Sequence, residues 1–324
     1  MLEIFDKPLI VNENDYVSSM LSVVEPYLEK RRKEGYFSSA DGKRLHYEAY
    51  DKLVSRGSVI ILHGFCESAE KFREIAYYFR KAGYSVFVPD LRGHGKSYHE
   101  AGKKECVTIE SFDLYASDLH RFVEDIVKPS GISKKIYIYS HSLGSTAALL
   151  YLMKHNDAVS KAVLSSPMIC GNMGMPTAVA GMAAKLVCKA GGKNAGAPGR
   201  CVFNENQSFE ASDATSKVRF YYYHNKRKKE PLYQTSGPDF QWVKASLEAR
   251  DKLLNLSNIR SIGADMLIFK PEEDKQLLGE YTDMFAERAR VRIKKVNNSK
   301  HEIFMSENAV LSWYIEEIFE FFRD

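Results

Sequence analysis

Ser142 stands at the centre of Ser140-His141-Ser142-Leu143-Gly144, between the apolar, β-rich run Ile136–Tyr139 and the helix-forming run Ser145–Leu150. A strand that turns sharply into a helix with a serine at the apex lifts that hydroxyl clear of the sheet, which is the layout of a nucleophile elbow. Small residues are needed two positions before and after the serine, because strand and helix nearly touch there. Gly144 meets this demand, and Ser140 replaces the usual first glycine of G-x-S-x-G with the next smallest polar side chain. A five-residue match also arises by chance, with Ser142 doing no more than starting a helix, so its partners must decide. A serine hydroxyl is a weak nucleophile near neutral pH and needs a base. His301, in Asn298-Ser299-Lys300-His301-Glu302-Ile303, follows the last predicted strand and is the only one of nine histidines beyond residue 224. An unperturbed imidazole titrates near pH 6.5, so a reaction using it as base should fade below about pH 6.

The base needs a carboxylate to fix its tautomer. Asp274, in Lys270-Pro271-Glu272-Glu273-Asp274-Lys275, follows the predicted strand Met266–Phe269; Glu273 is its main rival and Glu272 the third acid of the turn. An oxyanion hole needs two backbone N–H groups. Leu143, next after the serine, and Phe65, in the His63-Gly64-Phe65 turn after the strand Ser58–Leu62, are the expected donors. His63, His94 and His141 lie in turns whose shape can account for them, and are read as structural. Asp90 and Arg92 are read as holding a turn.

The elements that must position these groups follow in order. Residues 1–34 form an accessory stretch with a helix near Tyr16–Arg32, whose apolar face is Leu21, Val24 and Leu28. Tyr36–Tyr50 reads as a hairpin turning at Asp41-Gly42. Buried strands at Ser58–Leu62, Tyr84–Val88, Ile136–Tyr139 and Lys161–Ser165 alternate with helical patterns over Ala69–Ala82, Ile109–Val127 and the elbow helix. That rhythm means βαβ units and a mainly parallel sheet, an α/β fold. It stops at Pro167 and resumes at Ala264–Phe269, so residues 1–167 and 258–324 form the core and 168–257 an inserted, mainly helical cap without a clear strand.

The 324 residues, 44% hydrophobic and 27% charged, are ordinary globular composition, and the net charge of +4 gives no reason to expect a nucleic-acid partner. No apolar run approaches the ~20 residues of a membrane span, and the first residues lack a signal-peptide pattern. The five cysteines are scattered with no C-x-x-C pair, so neither metal ligation nor a disulfide framework is expected, and a reducing cytoplasm is the simplest home. No metal or organic cofactor is required by the chemistry.

His63-Gly64-Phe65, Asp90-Leu91-Arg92-Gly93-His94-Gly95-Lys96-Ser97, the elbow, Pro271–Lys275 and Lys300-His301-Glu302 together resemble the α/β-hydrolase family of lysophospholipases and monoacylglycerol lipases, its bacterial lysophospholipase branch most of all. The segment Phe220–Tyr223 through Gly237–Val243 resembles that family's cap, and the resemblance spans roughly residues 35–324. It implies a serine carboxylic-ester hydrolase that cleaves a single-chain acyl lipid through an acyl-enzyme on Ser142. A general carboxylesterase, a thioesterase or an acyltransferase uses the same parts, and a non-catalytic lipid-binding protein is the rival from another class. Met168, Met173, Met175, Val179 and Met182, with Leu186 and Val187 behind them, are expected either to wall an acyl chain or to fill the cap's own core. Lys226–Lys229 is either a solvated charge run or a contact for a phosphate head group or a membrane surface, which would make the protein peripheral at the inner membrane.

Overall fold

The computed structural model describes residues 10–100, 105–192, 195 and 201–323; the first nine residues of the accessory stretch and parts of the cap lie outside them. The strands are β1 (Arg32–Ser38), β2 (Arg44–Tyr50), β3 (Ser58–Leu62), β4 (Ser85–Pro89), β5 (Cys106–Val107), β6 (Ile136–His141), β7 (Lys161–Ser165), β8 (Gly237–Pro238), β9 (Asp265–Pro271) and β10 (Arg292–Val296). Among the described residues, eight of them form one sheet in the order β1-β2-β4-β3-β6-β7-β9-β10. The β1–β2 and β2–β4 pairings are antiparallel and every other pairing in that sheet is parallel. The protein has an α/β-hydrolase fold.

Strand β3 shows how the sequence builds the layers. Successive side chains of a strand point to opposite faces. Ile60 and Leu62 join the cluster packed under α4 (Asp113–Phe122) and α5 (Leu143–Leu152), while Val59 and Ile61 join the cluster under α3 (Arg73–Lys81) and α11 (Asn308–Arg323). All five residues of β3 are buried, so its run of apolar side chains without polar alternation marks a strand covered on both faces.

Between β7 and β9 the chain leaves the sheet and forms α6 (Thr177–Val187), α7 (Lys217–Lys229), α8 (Phe240–Leu253) and the short α9 (Leu256–Arg260). Helix α7 packs with the α3/α11 cluster through Phe220 and Tyr223, and α8 with the α4/α5 cluster through Trp242, Ala245 and Ala249. A strand does occur here, contrary to the sequence reading: β8 pairs with β5 in a separate two-stranded ribbon. Two-residue strands carry too little periodicity to be seen in a sequence. The cysteines differ from expectation in one respect: while Cys66, Cys170 and Cys188 take part in no disulfide, Cys106 and Cys201 form one between the two segments. Their separation of 95 residues is beyond any local spacing rule.

The N-terminal helical stretch, Tyr16–Glu29, buries Tyr16, Met20, Val24 and Leu28 against α3; Leu21, predicted inside, is exposed. A π-turn over Met20–Val24 shifts the helical phase by one residue there and moves Leu21 off the buried face. Charge ties the stretch to α7. Arg219, wholly buried, gives its guanidinium to Glu74 at 3.0 Å and to the carbonyl of Val11 at 2.7 Å, and Glu74 also accepts from the hydroxyls of Tyr16 and Tyr78. Lys226 reaches Glu25 and Glu70 at 2.5 Å each. Removing one member of such a buried pair strands the other charge, at a cost of about 3–5 kcal/mol. Arg219→Met should therefore lower the urea-unfolding free energy by that order, and Glu74→Gln with Arg219→Met, which removes the stranded charge but keeps an acceptor for Tyr16 and Tyr78, should recover part of the loss. Equal destabilisation in the single and double variants would show that shape rather than the charge pair holds this junction.

Candidate active site

Ser142 occupies the β6–α5 turn with φ 49° and ψ −115°, a backbone strained for a non-glycine residue. Three main-chain contacts hold it: its N–H donates to Ser165 O at 3.0 Å, and its carbonyl accepts from the N–H groups of Ser145 and Met168. Gly144 is required by contact, since a Cβ there would lie 2.3 Å from Leu62 O. Ser140 is tolerated where glycine is usual because its hydroxyl is satisfied, donating to Val163 O at 3.0 Å beside Ser145 Oγ. Ser166 is a further non-glycine residue at positive φ, and its hydroxyl donates to the carbonyl of His301 at 2.7 Å. Nothing in the sequence singled it out, because the loop it supports lies 135 residues away.

His301 Nδ1 meets Asp274 Oδ2 at 2.8 Å, and both side chains are largely buried. The other oxygen of Asp274 accepts the N–H groups of Gln276 and Leu277. Glu272 instead caps the N–H of Asn298 at 2.6 Å, and Glu273 is exposed. The acid in contact with the histidine is therefore Asp274. The contact with Asp274 uses Nδ1 and not Nε2 of the imidazole. Burial disfavours the charged imidazole, but the hydrogen bond and charge of Asp274, reinforced by Asp213 and Glu302, outweigh it and raise the His301 pKa above the ordinary value. His141, buried against His301 with ring centroids 4.8 Å apart, is pushed well below the ordinary value by burial and by His301 itself.

Ser142, His301 and Phe65 line one cavity of about 490 Å³, within the range of small-ligand sites. One part of its wall is ionic, with Glu67, Lys71, Asp213 and Glu302; another is apolar, with Met168, Met173, Met175, Phe203, Phe240 and Trp242. Phe65 packs on Trp242 at 4.4 Å between ring centroids. Leu143, at the first turn of α5, has its N–H among those a helix leaves without an internal partner. Val179 and Met182 do not line the cavity and are exposed, a correction to the expected acyl wall. Helical geometry explains it: Ala180 and Ala183 of α6 face the cavity, while Val179, Met182 and Leu186 fall on its outer side. His141 also lines the cavity, beyond the purely structural role read from its turn, whereas His63 and His94 are buried in the turns they stabilise. Asp90 does hold its turn, accepting from the N–H groups of Ala69 and Lys96. The Lys226–Lys229 run is divided: Lys226 is held in ion pairs, Arg227 donates to the carbonyls of Tyr233 and Thr235 on the cavity side, and Lys228 and Lys229 are exposed. Such an arrangement can deliver an activated hydroxyl to a carbonyl and place backbone N–H groups near the oxygen that becomes negative.

The chain and its fold are similar to those of known proteins. The family profile described as "Serine aminopeptidase, S33" matches residues 54–308. A probable lysophospholipase L2 of Haemophilus influenzae is 27% identical over 83% of this chain and 86% of its own. Lysophospholipase L2 of Escherichia coli K12 is 24% identical over 91% and 88%. Among solved structures, a thermostable carboxyl esterase of Bacillus coagulans superposes with a TM-score of 0.74 at 18% identity, covering 90% of this chain and 98% of the esterase. A monoglyceride lipase of Saccharomyces cerevisiae gives 0.71 at 19%, covering 90% and 94%.

The raised pKa of His301 fixes a sign. A base works when neutral, and its neutral fraction falls as pH drops through its pKa. The acid limb of kcat/KM should therefore be centred above the pH of ~6.5 at which an unperturbed histidine titrates. Asp274→Asn should move that limb down and lower kcat by on the order of 10³–10⁴, while Glu273→Gln changes neither. A limb that stays put in Asp274→Asn would mean another group is being titrated.

Proposed function

The chain belongs to the serine aminopeptidase S33 family, and from that premise we propose that it is a serine carboxylic-ester hydrolase acting on single-chain acyl lipids, lysophospholipids or monoacylglycerols. The observation that carries this reading is the 2.8 Å contact of Asp274 with His301, which lines the same cavity as the strained Ser142. In this reading Ser142 Oγ attacks the ester carbonyl as His301 Nε2 takes its proton. The N–H groups of Phe65 and Leu143 receive the oxyanion. His301 then protonates the departing alcohol, and water, activated by the same nitrogen, releases the fatty acid. Asp274 holds the imidazole and stabilises its charged form without becoming protonated.

Substrate class rests on the cavity and on the relatives. The two lysophospholipases named above span most of this chain, and a monoacylglycerol lipase of Mycolicibacterium smegmatis is 28% identical over 48% of it. Met168, Met173 and Met175 offer an adaptable apolar wall for one acyl chain, and the ionic part of the wall suits a polar head group. Residues 168–257 would act as the cap over a core of residues 1–167 and 258–324. Among the described residues no helix is long and apolar enough to cross a membrane. Val179, Met182 and Leu186 are each roughly half or more exposed along one side of α6, with Lys185 and Lys189 exposed nearby. This stripe, rather than Lys226–Lys229, supports transient peripheral contact with a lipid surface.

A fluorophosphonate probe should label wild type at Ser142, and Ser142→Ala should lose labelling and at least ~10⁴ of the esterase activity while melting normally. Across an ester series from acetate to laurate, kcat/KM should rise more than ~10-fold, because each buried methylene contributes up to ~0.8 kcal/mol. Preference for acetate would replace the lipid reading with a general carboxylesterase. An aminoacyl arylamide in the same panel tests the activity after which the family is described, and is expected to be a poor substrate.

A further inference from the structure

A buried ammonium bridges two loops of the candidate site. Lys71 lies in the turn Ala69–Phe72 that leads into α3 and is outside the set Ser142, His301 and Asp274. Its Nζ meets Glu67 Oε1 at 2.8 Å and Glu302 Oε1 at 2.5 Å, and the Lys71 and Glu67 side chains are each 6% exposed. Glu67 faces two ways. Its other oxygen accepts the N–H of Gly64 at 2.6 Å, which pins the turn immediately before Phe65. Glu302 is the residue after His301, and its own N–H donates to Asp213 O at 3.0 Å. The same Nζ lies 5.3 Å from the centroid of Tyr223, on α7, and 5.5 Å from that of Phe304. A glycine is needed at position 64 for the same reason the carboxylate can reach it: a Cβ there would sit 2.7 Å from Glu67 Oε2.

We propose that Lys71 is a positioning residue, whose ammonium, through Glu67 and Glu302, sets the distance between the Phe65 N–H and the His301 imidazole. The proposal rests on the serine-hydrolase reading above. Two carboxylates on separate loops would repel one another in a poorly solvated wall; the shared cation reverses that repulsion and makes a single spacing the stable one. Burying three charges is a poor way to gain stability, since an apolar trio of similar volume is often as stable. What an ionic bridge adds is a defined geometry, and catalytic geometry is where small errors are costly: a displacement of about 1 Å can cost on the order of 10² in rate. The bridge acts through main chain at both ends, on an N–H one residue before the proposed oxyanion donor and on the residue following the base. Lys71 therefore affects the transition state more than the bound substrate.

The test uses the full chain and a soluble short-chain p-nitrophenyl ester, so that cap and lipid effects do not enter. Lys71→Met should lower kcat about 10- to 100-fold with KM nearly unchanged, short of the ~10²–10³ expected when an oxyanion donor is lost outright. A trifluoromethyl ketone inhibitor, which takes up the tetrahedral geometry, should weaken in proportion to kcat/KM. Lys71→Arg, which keeps a cation between the carboxylates, should recover most of both. If Lys71→Met does not fold, Glu67→Gln with Lys71→Met removes the bridge without leaving Glu67 as an unpaired charge, and the same pattern is expected of it. Unchanged kcat, a loss confined to KM, or unchanged inhibitor affinity in the folded variant overturns the proposal. Fluorophosphonate labelling of wild type separates the two levels: an unlabelled wild type defeats the serine-hydrolase reading itself, whereas a labelled wild type with an equally active Lys71→Met defeats only the bridge.

Discussion

Ser142 keeps a backbone conformation that an L-residue abandons unless its surroundings over-determine it. The surroundings are the main chain of β6 and β7, the carbonyls of Leu62 and His63 pressed against Gly144, and the N–H of Met168 closing on the Ser142 carbonyl. Each contact depends on the parallel register of β3, β6 and β7, in which Leu62 stands beside Ser140 and Ser140 beside Leu164. The strain at one residue is thus borne by the sheet, and the apolar clusters on its two faces keep that sheet in register.

The loops at the strand ends share this logic. Cys66, Ser142, Ser166 and Asn298 all hold positive φ without being glycine, and they follow β3, β6, β7 and β10 respectively. Local preference opposes Cys66, Ser142 and Ser166, so tertiary contacts must maintain them, whereas Asn298, as an asparagine, tolerates the left-handed region. Ser166 supports the histidine loop from below through the carbonyl of His301, and Glu272 supports it from the side through Asn298. Helix α7 is held to the core by buried ion pairs at both ends, while α6 lacks comparable anchoring charges among the described residues and leaves its outer face to solvent.

Much of this was legible in the sequence where the signal is local. Buried strands appear as unbroken apolar runs, as Ser58–Leu62 and Ile136–Tyr139 show, and the elbow is written in five consecutive residues. Three carboxylates in one turn are a different matter: composition could not say which one meets His301, because that depends on how Asn298 and Gln276 occupy the other oxygens. The methionine wall was half legible. Met168, Met173 and Met175 face the cavity, but Val179 and Met182 could be assigned only once the rotation of α6 was known. Contacts spanning more than a hundred residues, such as Ser166 with His301 or Lys71 with Glu302, left no pattern to read.

The bond between Cys106 and Cys201 divides the chain into a closed ring and two free arms. Ser142 lies inside the ring; Asp274 and His301 lie on the C-terminal arm. With the ring closed, an unfolded chain has fewer conformations to explore, by about 4–5 kcal/mol for a loop of this length in the chain-entropy view. The restriction falls on the half of the site that holds Ser142. His301 and Asp274 must still find that half by folding of an unconstrained arm, so a reducing medium changes the search for one side of the proposed site and leaves the other as it was.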